Sequence, residues 1–138
     1  MRPKPARRDL QLVVGDAAAA LKRLRVLQTR EPVDGEVSIE RNSAILHVLL
    51  AAERAFMMFL REVGDPGFHA RNPQVEAKTR EMVLFVLKNG QADQYPLATT
   101  YPVADAFRTM AMFVATGRVP EDIGWHNDSG DRKSTPND

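Results

Sequence analysis

The chain has 138 residues, of which 43% are hydrophobic, and this suits one domain with a modest buried core. It contains no cysteine, which excludes disulfides, a thiolate nucleophile and cysteine-ligated zinc. The net charge of +1 conceals an asymmetry. Residues 1–30 carry eight Lys/Arg and two Asp, whereas residues 31–138 carry eleven Lys/Arg and sixteen Asp/Glu. We therefore expect a basic leader on an acidic body.

The sequence predicts neither a membrane span nor a secretory signal. The longest apolar stretch, 44–60, includes His47, Glu53 and Arg54, which the centre of a bilayer disfavours. No apolar segment follows the N-terminal arginines, as a signal peptide would require. We expect a cytoplasmic protein that does not bind membranes. The predicted organisation is a basic flexible leader over 1–8, a single domain over 9–128 and a flexible polar tail over 129–138.

A helix is predicted after the short apolar run at 10–14. Asp16 is a good N-cap for the sequence AAAALKRLRVLQ that follows it. The apolar residues of this segment fall on one helical face, namely Ala17, Ala20, Leu21, Leu24 and Leu27.

Residues 43–63 are ambiguous between one helix and two strands. The content of Ala, Leu and Met favours a helix of about 20 residues. Such a helix would be apolar nearly all round, which a surface helix does not tolerate. The alternative is a pair of strands at 44–50 and 55–61 joined by a short turn. The apolar run 81–87, which stops at Asn89–Gly90, leaves the same two interpretations open.

The last helix has clearer signals. Pro102 suits a first helical position, and apolar residues from Val103 onwards recur at helical spacing. Gly117 ends the helix and Pro120 prevents its continuation. The sequence EDIGW, which includes Trp125, then favours a final short strand.

No pattern in the chain predicts catalysis or a bound cofactor. His47 lies in an apolar run and is expected to be half-buried. His69 and His126 have nearby acids in Asp65 and Asp128, but no HxxxH or HxH spacing supports a metal site. Motifs of the type GxSxG, GxGxxG and the P-loop do not occur. We therefore assign no catalytic residue, no metal ligand and no cofactor.

A set of residues in a fixed order resembles a known family over about residues 43–128. The segment FLREVGDPGFH and the stretch from Asn89 to Trp125 resemble the first-numbered Imm family of immunity proteins from bacterial polymorphic toxin systems. The residues assigned to this structural motif are Gly64, Gly67, Phe68, Gly90, Pro96, Pro102, Phe113, Gly117, Pro120 and Trp125.

The resemblance implies an α+β fold in which an antiparallel β-sheet packs with an N-terminal and a C-terminal helix. The strands would lie at 44–50, 55–61 and 82–88, and an all-α bundle is the alternative. Gly64–Gly67 would form a turn in which Asp65 caps local amides.

The resemblance also implies a protein that is not an enzyme and that binds and neutralises a cognate bacterial toxin by occlusion. Many such toxins act on nucleic acids or nucleotides, so an acidic partner would gain association rate. The residues proposed to contact the partner are Asp65, His69, Glu76, Asn89, Gln91, Asp93 and Tyr95. The alternative is a small nucleic-acid-binding or regulatory protein that uses the basic N-terminal segment. The oligomeric state is not predicted.

Overall fold

The structure, a computed structural model, describes residues 7–29, 34–76 and 78–138. The first six residues of the predicted leader lie outside these ranges. The described elements are, in chain order, β1 Leu10–Val13, α1 Ala17–Gln28, β2 Gly35–Arg41, β3 Ala44–Ala51, β4 Arg54–Leu60, β5 Phe68–Ala70, β6 Met82–Val86, β7 Ala92–Pro96, a 3-10 turn Leu97–Thr99, β8 Thr100–Pro102, α2 Val103–Thr116 and β9 Trp125–Asn127.

Seven strands form one mixed sheet. Its order is β1-β2-β3-β4-β5-β9. The seventh strand, β8, pairs with the first half of β4, and β5 pairs with the second half. All neighbours are antiparallel except β1 and β2, which α1 connects as a crossover, since parallel strands cannot be joined by a tight turn. The predicted α+β class is confirmed and the all-α bundle is wrong. The expectation of a wholly antiparallel sheet missed the parallel pair at this edge.

The ambiguous segment 43–63 forms strands β3 and β4. The predicted bounds of 44–50 and 55–61 differ from the observed ones by a single residue at three of the four ends. Strands are favoured because the helices cover one face of this segment and the hairpin covers part of the other, so apolar side chains on both faces are buried. Leu46 and Val48 are buried under the helices, whereas Leu49 and Phe56 are buried under the hairpin of β6 and β7.

The two helices cover one face of the sheet. Asp16 Oδ1 accepts hydrogen bonds from the backbone amides of Ala18 and Ala19, as the predicted N-cap requires. Pro102 is the N-cap of α2 and the last residue of β8, so it stands one position before the predicted one. Gly117 ends α2 with φ of 77°, which confirms the predicted C-terminus. The main core lies between this layer and the sheet and includes Phe68, Phe113 and Met110.

The hairpin of β6 and β7 packs on the opposite face. Phe85 is fully buried there against Leu49 and Phe56, and Tyr95 stacks on Phe56 with 3.9 Å between ring centroids. The backbone amide of Lys88 donates to Glu36 Oε2 at 2.9 Å, which ties the end of the hairpin to β2. The molecule therefore has three layers: helices, the large sheet, and a two-stranded sheet that covers only part of the second face.

Both terminal segments contact the domain where they are described. Arg7 forms a parallel bridge with Asp34, and its guanidinium donates to the carbonyl of Val86. At the other end, Asn137 accepts from the amide of Val119 and donates to its carbonyl. The flexibility proposed for 1–8 and 129–138 stays a prediction.

Candidate functional site

One row of side chains crosses six strands on the face of the large sheet that the helices leave uncovered. The strand register pairs its members in sequence, so that each is the direct neighbour of the next. We call it the histidine row: Gln11, Ser38, His47, Met58, His69 and His126. Alternate residues point to opposite faces of a strand, and the residues on either side of Ser38 and Met58 are buried in the helix-side core. Gln11 and His126 are exposed, and the other four are half-buried.

A carboxylate joins the two histidines at the β9 end of the row. Asp128 Oδ2 lies 2.7 Å from His69 Nδ1, and Asp128 Oδ1 lies 3.7 Å from His126 Nε2. The two imidazole centroids are 5.0 Å apart, and His69 also stacks on Phe56 at 6.3 Å. Within residues 7–29, 34–76 and 78–138, no three histidines or carboxylates are placed to hold a metal ion. This cluster can accept and donate hydrogen bonds to a partner.

The other end of the row carries His47 and Glu36. His47 Nε2 lies 3.4 Å from Glu36 Oε1, and burial lowers the pKa of His47, with the nearby Glu36 carboxylate opposing that shift in part. A groove of about 270 Å³ opens here, and Lys88 of the hairpin contributes to its wall. The row therefore begins and ends at concave surface.

A larger groove of about 620 Å³ adjoins the β9 end. Its lining includes His69, His126, Arg71, Glu76 and Thr99, among others. Two of the residues predicted to contact a partner, His69 and Glu76, thus share one groove.

The hairpin holds four more of the predicted contact residues. Asn89 Oδ1 accepts from the amide of Gln91, and Gln91 Nε2 donates to Asp93 Oδ1, so these three order the turn and its exit. Tyr95 is half-buried and meets the same Phe56 ring that His69 touches. The structure brings His69 and Tyr95 together and leaves the turn residues at the far end of the hairpin.

The comparison with protein families is decisive. A family model described as Immunity protein Imm1 matches residues 6–127, which is nearly the whole chain. The chain belongs to the Imm1 family. No curated protein matches this Imm1 chain. Membership implies an immunity function against a toxin and a cognate toxin as partner, and immunity proteins of this kind are typically not enzymes. No helix in the described part of this Imm1 chain is long and apolar enough to cross a membrane.

The side chain of Asp65 in this Imm1 chain is buried and hydrogen-bonded within the protein. Its side chain is 7% exposed, and its carboxylate accepts from the amide, Nε and Nη2 of Arg61 at 2.8–2.9 Å. Arg61 also donates to Asp131, which ties the C-terminal segment to this corner. These hydrogen bonds from Arg61 hold the pKa of Asp65 well below its usual value. The geometry supports the turn role of Asp65 and leaves little of its carboxylate for a partner.

Replacing Asp65 with asparagine is expected to lower the free energy of unfolding of this Imm1 protein by about 1–3 kcal/mol at pH 7, because charged hydrogen bonds to Arg61 are lost. The folded-state pKa is depressed, so this contribution is present above the unfolded value of 3.8 and disappears as pH falls through the folded value. Urea unfolding at pH 7 measures the full difference between wild type and variant, and at about pH 3, below the unfolded value, the difference should be smaller but still present. The matched control is Asp122→Asn, which breaks an ion pair with Arg108 at a carboxylate that is 70% exposed and should cost much less. Equal losses for the two variants would contradict the structural role of Asp65.

The residues of the structural motif lie in the core or at turns of the Imm1 fold. Gly64 and Gly90 occupy exposed turns with positive φ, and Pro96 ends β7. Phe68 and Phe113 are fully buried, Pro120 is buried, and Trp125 is half-buried against the helix-side core.

Sequence reasoning proposed only His69 of the six members of the histidine row of this Imm1 chain as a contact residue. The other five were not proposed as contacts, because their common face exists only once the strand register is known. One signal was available: EVSIER at 36–41 alternates polar and apolar residues, which is typical of a half-covered strand. That pattern predicts β2 and places Ser38 on the uncovered face.

Proposed function

We propose that the protein neutralises its cognate toxin by binding it through the open face of the large sheet, so that the toxin's active site is covered. The observation that supports this is the histidine row, which the helices leave uncovered and the hairpin covers in part at Met58, in a chain whose family implies a toxin partner. Six strands spaced at about 4.8 Å make this face about 24 Å across between the outer strands. A surface of that width is of the scale that a stable interface needs, about 800 Å² on each partner.

The chemistry of the face suits a protein partner. Half-buried apolar side chains, Ile45 and Leu60, lie beside the row on neighbouring positions of β3 and β4. Polar groups surround them, and the carboxylates of Glu36 and Glu40 lie on the same face of β2. Apolar area with a polar border is the usual composition of an interface. The carboxylates would attract a toxin whose active site is basic and would raise the association rate.

Of the residues first proposed as contacts, His69, Glu76, Asp93 and Tyr95 fit this surface best. His69 belongs to the row, Glu76 lines the adjoining groove, and Asp93 and Tyr95 lie on the hairpin that overhangs the face. Asn89 and Gln91 would contact a toxin only if it reached the hairpin turn. Asp65 is not required.

A substitution that places a long, charged side chain in the middle of the histidine row tests the proposal. In Ser38→Arg, a long side chain would stand on the open face and hold the toxin away, so we expect the dissociation constant to rise at least tenfold, or about 1.4 kcal/mol. The probe is a catalytically inactivated form of the cognate toxin domain, and binding is measured by calorimetry. The matched control is Ala115→Arg, at an exposed site of α2 on the opposite layer. Normal binding by Ser38→Arg together with weak binding by Ala115→Arg would place the interface on the helical side.

Nucleic-acid binding through the basic N-terminal segment has less support. The guanidinium of Arg7 is engaged by Asp9 and by the carbonyl of Val86, and the backbone of Arg8 pairs with Asp34. Within the described ranges, these contacts engage the guanidinium of Arg7 and the backbone of Arg8.

A further inference from the structure

The outer face of the hairpin of β6 and β7 is apolar and uncovered. Cross-strand neighbours on this face are Met82 with Pro96, Leu84 with Gln94, and Val86 with Ala92. Met82 and Leu84 are each 50% exposed, Pro96 and Ala92 are exposed, and Val86 is half-buried. We call these five apolar side chains the hairpin patch. They are adjacent in the two-stranded sheet, so they form one continuous surface.

The sequence of β6 indicates that this face is made to be covered. Residues 81–87 read EMVLFVL, a run that is apolar at both alternating sets of positions. One set, Val83, Phe85 and Leu87, packs on the large sheet. The other set, which includes Met82 and Leu84, faces outward. Continuous apolar runs are typical of strands that are buried on both faces, and half-covered strands usually alternate with polar residues. The sequence of β6 is therefore typical of a strand that is covered on both faces, whereas only one face of the hairpin is covered in the structure.

We propose that the hairpin patch is an apolar docking site for the cognate toxin, which would contact it together with the histidine row. This inference rests on the proposed function and adds the part of the interface that supplies the apolar anchor. The hairpin lies on the same face as the row, with Tyr95 stacked on Phe56 beside His69. Packed sheets are about 10 Å apart, so row and patch form a step about 10 Å high on one side of the molecule.

The size of the patch favours the toxin over a second copy of the chain. Five partly exposed side chains fall well short of the roughly 800 Å² per partner that a stable interface buries. A dimer built on the patch alone would be weak. A toxin that also covers the histidine row would bury about that much area. Met82 has a flexible side chain and Leu84 a large apolar one, so both can adapt to an apolar surface of the toxin.

The test replaces both outward-facing side chains. Met82→Asp/Leu84→Asp puts two charges into the patch and leaves Phe85 and Tyr95 in place, and hydrogen exchange of the hairpin amides checks that the hairpin stays docked. With the inactivated toxin domain, we expect the double variant to bind at least thirtyfold more weakly, chiefly through faster dissociation. The control is Val26→Asp, at a valine of α1 that is 50% exposed, like Met82 and Leu84, but lies in the helical layer on the other side of the large sheet. It should change affinity less than twofold.

The outcomes separate the inference from the proposed function. If the wild-type protein fails to bind the toxin domain, the proposed function fails and this inference with it. If Ser38→Arg weakens binding but the double variant binds normally with its hairpin docked, only the hairpin patch is ruled out. Sedimentation of the free protein tests a second copy. A wild-type dimer that the double variant abolishes, with toxin affinity unchanged, would assign the patch to self-association and overturn the proposal.

Discussion

Replacing Phe85 with alanine is expected to lower the free energy of unfolding by about 3–5 kcal/mol and to abolish protection against the toxin. Phe85 is fully buried between the hairpin and the large sheet, where its ring meets those of Phe56 and Tyr95. The cluster beneath the hairpin has only Leu49 and Phe56 as its other buried members among the described residues. A two-stranded sheet is marginal without such packing, so the hairpin should detach before the main core unfolds.

Hydrogen exchange by residue measures this separation. In Phe85→Ala, the amides of β6 and β7 should lose protection while those of α2 keep theirs. Phe85→Leu is the matched control, because it retains most of the apolar side chain and should lower the free energy of unfolding much less than Phe85→Ala does. Hairpin amides that stay as protected as in the wild type would show that other contacts hold the hairpin.

Replacing Gly67 with alanine is expected to destabilise the protein more than the same change at Gly64, by at least about 2 kcal/mol. Both glycines have positive φ, 71° and 86°, so both substitutions carry a backbone strain of roughly 1–2 kcal/mol. A Cβ at Gly67 would also stand 2.4 Å from the carbonyl oxygen of Phe59, whereas a Cβ at Gly64 meets nothing within 4 Å. The difference in free energy of unfolding between the two variants therefore measures the cost of the clash between the added Cβ and β4.

Urea unfolding of the two glycine variants provides the measurement. Gly67 also accepts a hydrogen bond from the amide of Asp128, so its displacement would disturb the pairing of β5 with β9 and the position of His126. We therefore expect Gly67→Ala to weaken toxin binding as well. Equal stability losses at the two positions would contradict this prediction, because they would mean that β4 moves away from the added Cβ at no cost in free energy.

Local signals in the sequence were sufficient for the helices. Asp16 and Gly117 mark a start and an end whose physical reasons lie within a few residues, and the structure has both. The strands of 44–60 were different, because propensity favoured a helix, the all-round apolar pattern argued against a surface helix, and only the family resemblance decided for strands. Their apolar faces are satisfied by α2 on one side and by the hairpin on the other, and both are distant in sequence.

The connections between the central strands also gave weak signals. The turn between β2 and β3 has Asn42 and Ser43 at φ of 50° and 74°, and the turn between β3 and β4 has Ala52 at φ of 53°. Two-residue hairpin turns of this kind usually contain Asn-Gly or Asp-Gly. Ser43 stands where glycine would have revealed the turn between β2 and β3, so β2 was not predicted, whereas the turn at Ala52 was predicted without a glycine.

The candidate site was predicted only in part for a related reason. His69 and Tyr95 were proposed as polar groups on loops, but the structure places them in β5 and β7, with both rings against Phe56. Asp65 was proposed as an exposed loop acid, yet Arg61, four residues earlier, occupies its carboxylate. The histidine row could not be seen in the sequence, since its members range from Gln11 to His126 and meet only through the register of six strands.

The most direct test of the central claim is a titration of the toxin's activity with the purified protein. If the protein acts by covering the toxin, activity should fall linearly and reach zero at one equivalent. The toxin should then be recovered with unchanged mass and full activity after the two are separated by denaturation and refolding. Complete loss of activity at a small fraction of an equivalent, or a toxin of altered mass, would show that the protein modifies the toxin and would contradict inhibition by binding.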